Sequence, residues 1–306
     1  MTDVGETSKT RKKRGPTGLH KITRISSEGH RRVIKYNVKG QPIGHNATKL
    51  KTFIGISVQH HIPTIYETWK SVPSETKEKI YDLIQGGFVV DHRTKKNLIQ
   101  VAGIAFRNFK YRLTNKFIKP FINDKDKLKA PPEDYSHISH EHWEVFVKSR
   151  LTKDFERQSE TNREKRKKHV YNHCMLRKGY ANLAEELKID ASHERPSDRC
   201  ILWKKARTNR EGKIVHGPTQ KVVERIDDLM ITQDLQEENV DKYGDLLSIA
   251  LGSRDRPGLV KAVGQGITKT QYFYNPTKHS TPLVGEKKVD IKEYDRMAAL
   301  VKKNLK

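Results

Sequence analysis

Two cysteines, Cys174 and Cys200, are all that the 306 residues contain. That is too few for a disulfide framework and fits a reducing interior compartment. No apolar run approaches the ~20 residues needed to cross a bilayer, the N-terminus lacks the apolar core of a secretory signal, and neither end carries a lipidation signal. No membrane partner is therefore expected. The glycine-rich stretch from Gly252 to Gly266 lacks Gly-Lys-Ser/Thr, so it is no phosphate loop. The cysteines are separated by 25 intervening residues and lack CxxC spacing. His169, His173, Cys174 and Cys200 offer the types zinc prefers, yet a half-buried structural thiol is the simpler reading, and no metal and no cofactor are expected. His137, His140 and His142 fit helix caps and solvated polar positions.

Acid is also missing where it matters most. Between Asp91 and Asp124 there is no Asp or Glu, while eight Lys or Arg occur, from Arg93 to Lys119. Leu98, Ala102, Ala105, Phe106, Phe109 and Leu113 recur at three- and four-residue steps, which predicts a helix with one apolar face. Lys96, Arg107 and Lys110, with Tyr111, are expected on the opposite face, while Arg112 and Lys116 blur the separation. Such a run suits a solvated face as well as a polyanion site, and the distribution of charge favours the polyanion. Residues 1–122 hold 24 Lys and Arg against 8 Asp and Glu, net +16, whereas residues 123–306 hold 37 against 29, net +8. Phosphates drawn to such a surface release condensed counterions, giving salt-dependent affinity without sequence readout. Arg11, Lys12, Lys13 and Arg14 form a compact basic cluster of the kind a nuclear import receptor reads.

With 34% hydrophobic and 32% charged residues, the cores must be small. The expected fold class is mainly α: small helical modules with a short N-terminal β-hairpin and a disordered basic arm. The hairpin is placed around Ser27-Glu28-Gly29-His30, with Ile22, Ile25, Val33, Ile34, Tyr36 and Val38 in its strands. Ser74 is the expected N-cap of a helix bearing Ile80, Leu83 and Ile84 that stops at Gly86-Gly87. Prolines 120, 131 and 132 predict a connector. After Ser139 a helix carries Trp143, Phe146, Val147, Leu151 and Phe155 on one face, and its continuation from Glu156 to His169 has no apolar residue, so it must project. Further helices are expected from Tyr180 to Leu187, from Pro196 towards Gly212, around Val222 to Met230, and from about Val289 to Leu305, the last able to support self-association or to pack on its own domain.

Three strings occur in order: Trp143-Glu144-Val145-Phe146-Val147-Lys148-Ser149-Arg150 leading to Arg163 and Lys165; Arg177-Lys178-Gly179-Tyr180-Ala181; and Ala250-Leu251-Gly252 through Pro257-Gly258, Val260 and Val263-Gly264 to Ile267-Thr268 and Tyr272-Phe273. Arg199, Leu202-Trp203, Ala206-Arg207 and Gly212 support them, as do Arg14-Gly15-Pro16-Thr17, Trp69 and Val72-Pro73 upstream. Over roughly residues 14–275 the series resembles the plant transposases of the Ptta/En/Spm (CACTA) group, with departures at Leu176 and Leu259. The resemblance implies a nuclear, transposon-derived plant protein that binds DNA. The implied organisation is a disordered basic arm (1–20), a basic N-terminal module (21–122), a connector (123–138), a helical transposase-like domain (139–275) and a C-terminal helix (276–306). Candidate DNA contacts are Lys96, Arg107, Lys110, Arg163, Lys165, Arg166, Lys167, Arg177 and Lys178. Strand cleavage commonly needs three carboxylates around two metal ions. The acids here fall in helical or connector segments such as Glu185-Glu186, Asp227-Asp228 and Glu237-Glu238, so binding without catalysis is expected. A metal-dependent cleaving transposase and a domesticated protein-interaction scaffold are the alternatives.

Overall fold

Asn37 shapes the first ordered turn. Its Oδ1 accepts from the backbone N–H of Lys39 at 3.1 Å and of Gln41 at 2.9 Å, which is how a short polar side chain imitates a backbone turn. In this computed structural model, residues 31–175, 178–189, 196–214, 217–233, 245–255, 258 and 260–274 are described. The basic arm with Arg11 to Arg14, Arg177, the departures Leu176 and Leu259, Glu237-Glu238, and the expected terminal helix lie outside them. The turn joins β2 (Lys35–Tyr36), which follows β1 (Arg32–Val33), to β3 (Pro42–Ile43), with Tyr36 opposite Pro42. Asn37 and the left-handed Gly40 (φ 71°) supply the chemistry of this turn, while the turn expected at Ser27 to His30, with Ile22 and Ile25, lies outside the described residues.

Helix α1 (Gly44–His61) buries Ala47, Leu50, Ile54 and Val58 at helical spacing. Helix α2 (Ser74–Gly87) buries Ile80, Tyr81 and Ile84 and runs into β4 (Phe88–Val89), which pairs in parallel with β1. Pro73, not Ser74, holds the cap position of α2, since the Pro73 carbonyl accepts the first helical bond, from Lys77 N. Helix α3 (Lys95–Leu113) then places Leu98, Ala102 and Phe106 against α1 and α2 in a first core. Gly103 allows the Trp69 ring to lie on α3: a Cβ there would stand 2.7 Å from the indole.

The far end of α3 enters a second core. Phe109 and Leu113, with Ile118 on the π-turn that follows, pack on Leu128, Tyr135 and Ile138 and on Trp143, Phe146 and Val147. The stretch 123–138, expected as a connector, places Leu128, Tyr135 and Ile138 in this core. It contains α4 (Lys125–Leu128), whose last carbonyl accepts from Trp143 Nε1 at 2.9 Å. The single helix expected after Ser139 is two. Ser139 caps α5 (His140–Arg150), and Thr152 Oγ1 then accepts from Phe155 N at 3.2 Å and starts α6 (Lys153–Lys167). A hydroxyl offering the backbone a new cap breaks the helix there, leaving Leu151 47% exposed. Helix α6 has no buried residue, as its polar composition requires.

A third core gathers Leu183 of α7 (Tyr180–Glu186), Cys200 and Trp203 of α8 (Pro196–Lys205), Val222 and Ile226 of α9 (Gly217–Gln233), and Leu247 and Ala250 of α10 (Leu246–Ala250). Helix α8 stops short of Gly212, because residues 206–214 fold back through a Thr208–Ile214 bridge. Inside lies Arg199, 1% exposed. Its Nη2 donates to Asp255 Oδ2 at 2.7 Å, its Nη1 to Asp245, and its Nε to the Lys261 carbonyl at 3.0 Å. Its guanidinium also lies 5.3 Å from the Tyr272 ring centre, and Lys39 Nζ lies 4.5 Å from the same ring. Two further contacts join the halves of the chain: Gln41 Nε2 donates to the Val263 and Gln265 carbonyls, and Gly44 N–H donates to Asn182 Oδ1 at 2.7 Å. The last satisfies an orphan donor of α1, which has no side-chain cap of its own.

Arg199→Met tests this arrangement. It leaves the buried Asp245 and Asp255 without their shared cation, so urea denaturation is expected to show a loss of ~3–5 kcal/mol. A loss below ~1 kcal/mol, the range of exposed pairs, would contradict it.

Candidate nucleic-acid interface

Because one side of α3 is consumed by two cores, the opposite side is fixed as surface. At 3.6 residues per turn, Lys96, Asn97, Gln100, Ile104, Arg107, Asn108 and Tyr111 fall within about 120° of arc. Lys96, Gln100, Arg107 and Asn108 are exposed, and Tyr111 is 71% exposed. Among the described residues, the Lys96, Gln100, Arg107 and Asn108 side chains have no hydrogen-bond or ion-pair partner. Arg and Lys suit phosphate or guanine, and Asn and Gln suit adenine edges.

Lys110 departs from its expected place. One turn beyond Phe106, it is carried to the buried edge of α3, only 7% exposed. Its ammonium lies 5.0 Å from the Phe106 ring centre and 5.6 Å from that of Phe146, and it donates to the Tyr66 carbonyl and, at 3.2 Å, to that of Glu67. Burial, aided by the nearby Arg150 charge, pulls its pKa down to about 8. Lys110 is a core lysine and presents no free charge.

The basic end of α6 is exposed. Arg163 pairs with Glu160 and Lys167 with Glu164, each at 2.6 Å, and Arg166 Nη2 donates to Asn172 Oδ1 at 2.9 Å. Exposed pairs of this kind hold their charges weakly, and Lys165 has no partner among the described residues. These cations also complement the negative end of the helix, a structural role compatible with a ligand. Lys178 is half-buried and paired with Glu186. Gly179, at φ +77°, opens α7, and Tyr180 packs on the third core with its hydroxyl accepting from Arg207 Nη1 at 3.1 Å.

Between α3 and the region after 168 runs a cleft of about 1020 Å³. None of its described lining residues is acidic; Lys51, Lys168, Arg207, Arg254 and Lys261 supply positive charge, and Asn97, Gln100 and Asn108 come from the free face of α3. Sequence reasoning missed this group. The helical spacing of the amides was readable, whereas Lys51 and Arg254 meet only through tertiary packing. Arg207, 9% exposed, stacks 3.9 Å from the Trp203 ring centre and donates to the Trp203 and Tyr171 carbonyls; burial lowers its pKa.

The cysteines serve different ends. Cys200 is fully buried, and desolvation, with Asp245 nearby, pushes its thiol up to about 12, whereas Cys174 is exposed. Among the described residues no three of His, Cys, Asp and Glu converge as metal ligands, and no helix is long and apolar enough to cross a membrane.

No curated protein and no solved structure matches the chain. A family match does exist, over residues 139–270, to the plant transposase (Ptta/En/Spm) family. It covers α5 through the segment that returns to Arg199, and is narrower than the 14–275 expected from the strings. The positions that carried the resemblance, Trp143, Arg199, Trp203 and Arg207, are those that build the second and third cores. Over residues 139–270 the chain is thus similar to the plant transposases of the Ptta/En/Spm family.

Proposed function

We propose that this transposon-derived protein is a nuclear DNA-binding protein that holds element DNA along its basic helices and performs no strand cleavage itself. The observation that carries the reading is the free face of α3, where Lys96, Arg107 and Tyr111 stand exposed in a stretch without acid. The exposed end of α6, from Arg163 to Lys167, extends the positive surface, and Lys178 lies beyond it. What supports binding without cutting is the use already made of three buried carboxylates: Asp245 and Asp255 are held by Arg199 and Asp91 by Arg93, with Arg93 Nη2 donating to Asp91 Oδ2 at 2.8 Å. Exposed Glu186 is likewise paired with Lys178, and Asp227 with Lys204.

The salt dependence of duplex binding tests the reading. Lys96→Ala with Arg107→Ala is expected to weaken binding to any duplex and to lower the slope of log K against log salt by about 2. Lys110→Met leaves that slope unchanged. An unaltered slope in the double variant would remove α3 from the interface, and a magnesium-dependent nick would overturn the absence of catalysis.

Nuclear entry is assigned to Arg11 to Arg14, read by an import receptor. Replacing all four by Ala is expected to leave a fluorescent fusion cytoplasmic. A fusion that stays nuclear moves the signal elsewhere, with Lys165 to Lys168 the next cluster to alter.

A further inference from the structure

We infer that the cleft between α3 and the transposase-family domain binds an unpaired DNA strand, a few nucleotides long, distinct from the duplex held outside; this rests on the reading that the protein's ligand is DNA. Size comes first. About 1020 Å³ is the room of a site that encloses one drug-sized molecule. It takes bases splayed from one strand, not a double helix whose major groove alone is about 12 Å wide.

The lining has the two components single-strand sites use, cations along the backbone path and aromatic faces beside it. Lys51 and Arg254, from opposite halves of the chain, are both exposed, and neither side chain has a hydrogen-bond or ion-pair partner among the described residues. Lys51 lies close over Gly179, where an added Cβ would sit 3.7 Å from its Nζ. Its pKa is lowered by desolvation although the residue remains exposed, the condition of a cation at the mouth of a low-dielectric cleft, where its field is least screened. Tyr171 and Tyr180 supply aromatic surface in the lining.

Two observations point to a ligand beyond charge alone. Arg207, buried and lining the cleft, has an Nε with no hydrogen-bond partner among the described residues, and an orphaned buried donor is costly unless something accepts from it. Gln100 and Asn108 also bring amides without partners to the same cleft. These amides can pair with base edges, and an unpaired strand that enters the cleft brings its pairing edges within their reach.

The experiment uses the full chain and fluorescence anisotropy on three probes: a blunt duplex, the same duplex with a single-stranded tail, and the tail strand alone. Stacking of one base is worth ~1–3 kcal/mol, so the tailed duplex is expected to bind about tenfold tighter than the blunt one. Lys51→Ala with Arg254→Ala is expected to remove that gain while leaving the blunt duplex nearly as well bound. Gln100→Ala with Asn108→Ala, which leaves the net charge unaltered, is expected to lower the gain as well. Both pairs are exposed, so melting temperature serves as the control for folding. Equal binding of blunt and tailed probes by the parent overturns the inference while the duplex reading stands. Failure of all three probes to bind overturns both. Displacement of the tail by polyglutamate at matched charge also overturns it, because the cleft would then take any flexible polyanion.

Discussion

One helix belongs to two cores, and that constraint fixes most of what the surface can do. Along α3, Leu98, Ala102 and Phe106 face α1 and α2, while Phe109 and Leu113 face Trp143 and Phe146. Neither core can form without committing the same side of α3, and a fully buried Phe or Leu is worth ~1.5–3 kcal/mol. Its other side is left as surface over the full length from Lys96 to Tyr111. The absence of Asp and Glu from that span then has a geometric meaning, since no carboxylate on the helix itself can neutralise Lys96 or Arg107.

Net charge, by contrast, overstates the free positive surface. Of +24, part is internal. Arg199 is spent between two aspartates, Arg207 on Trp203 and Tyr171, and Lys110 on two carbonyls. Removing one member of such a set strands a buried polar group, which costs more than the interaction itself contributes. The strings that mark the transposase family include Arg199, Trp203 and Arg207, so they chiefly record a packing solution. The candidate contacts lie beside that framework, on α3, on the end of α6 and around the cleft.

Periodic signals in the sequence were legible and aperiodic ones were not. Helix α3, the helix after Ser139, the projecting polar helix and the segment from Tyr180 all follow from apolar spacing, and the mainly α class follows from them. The packing of Leu128, Tyr135 and Ile138 was hidden, since they recur at no regular step among prolines and charges. The turn at Asn37 was not singled out, because its deciding feature is one side chain accepting from two backbone N–H groups and not a run of strand-forming residues. Helical spacing alone misassigned Lys110: it sits at the margin of the apolar arc, where the Tyr66 and Glu67 carbonyls and the Phe146 ring meet it. The cleft had no linear signature at all, because Lys51 and Arg254 stand some 200 residues apart.

On the proposed function, DNA lies on the acid-free face of α3 and on the adjoining basic end of α6. Photocrosslinking of the intact chain to duplex DNA carrying reactive groups on its phosphates, followed by mass spectrometry, maps that contact directly. Adducts are expected to concentrate in peptides spanning Lys96 to Tyr111 and Arg163 to Lys168. Adducts confined to peptides outside both stretches, such as those of residues 276–306, would contradict it.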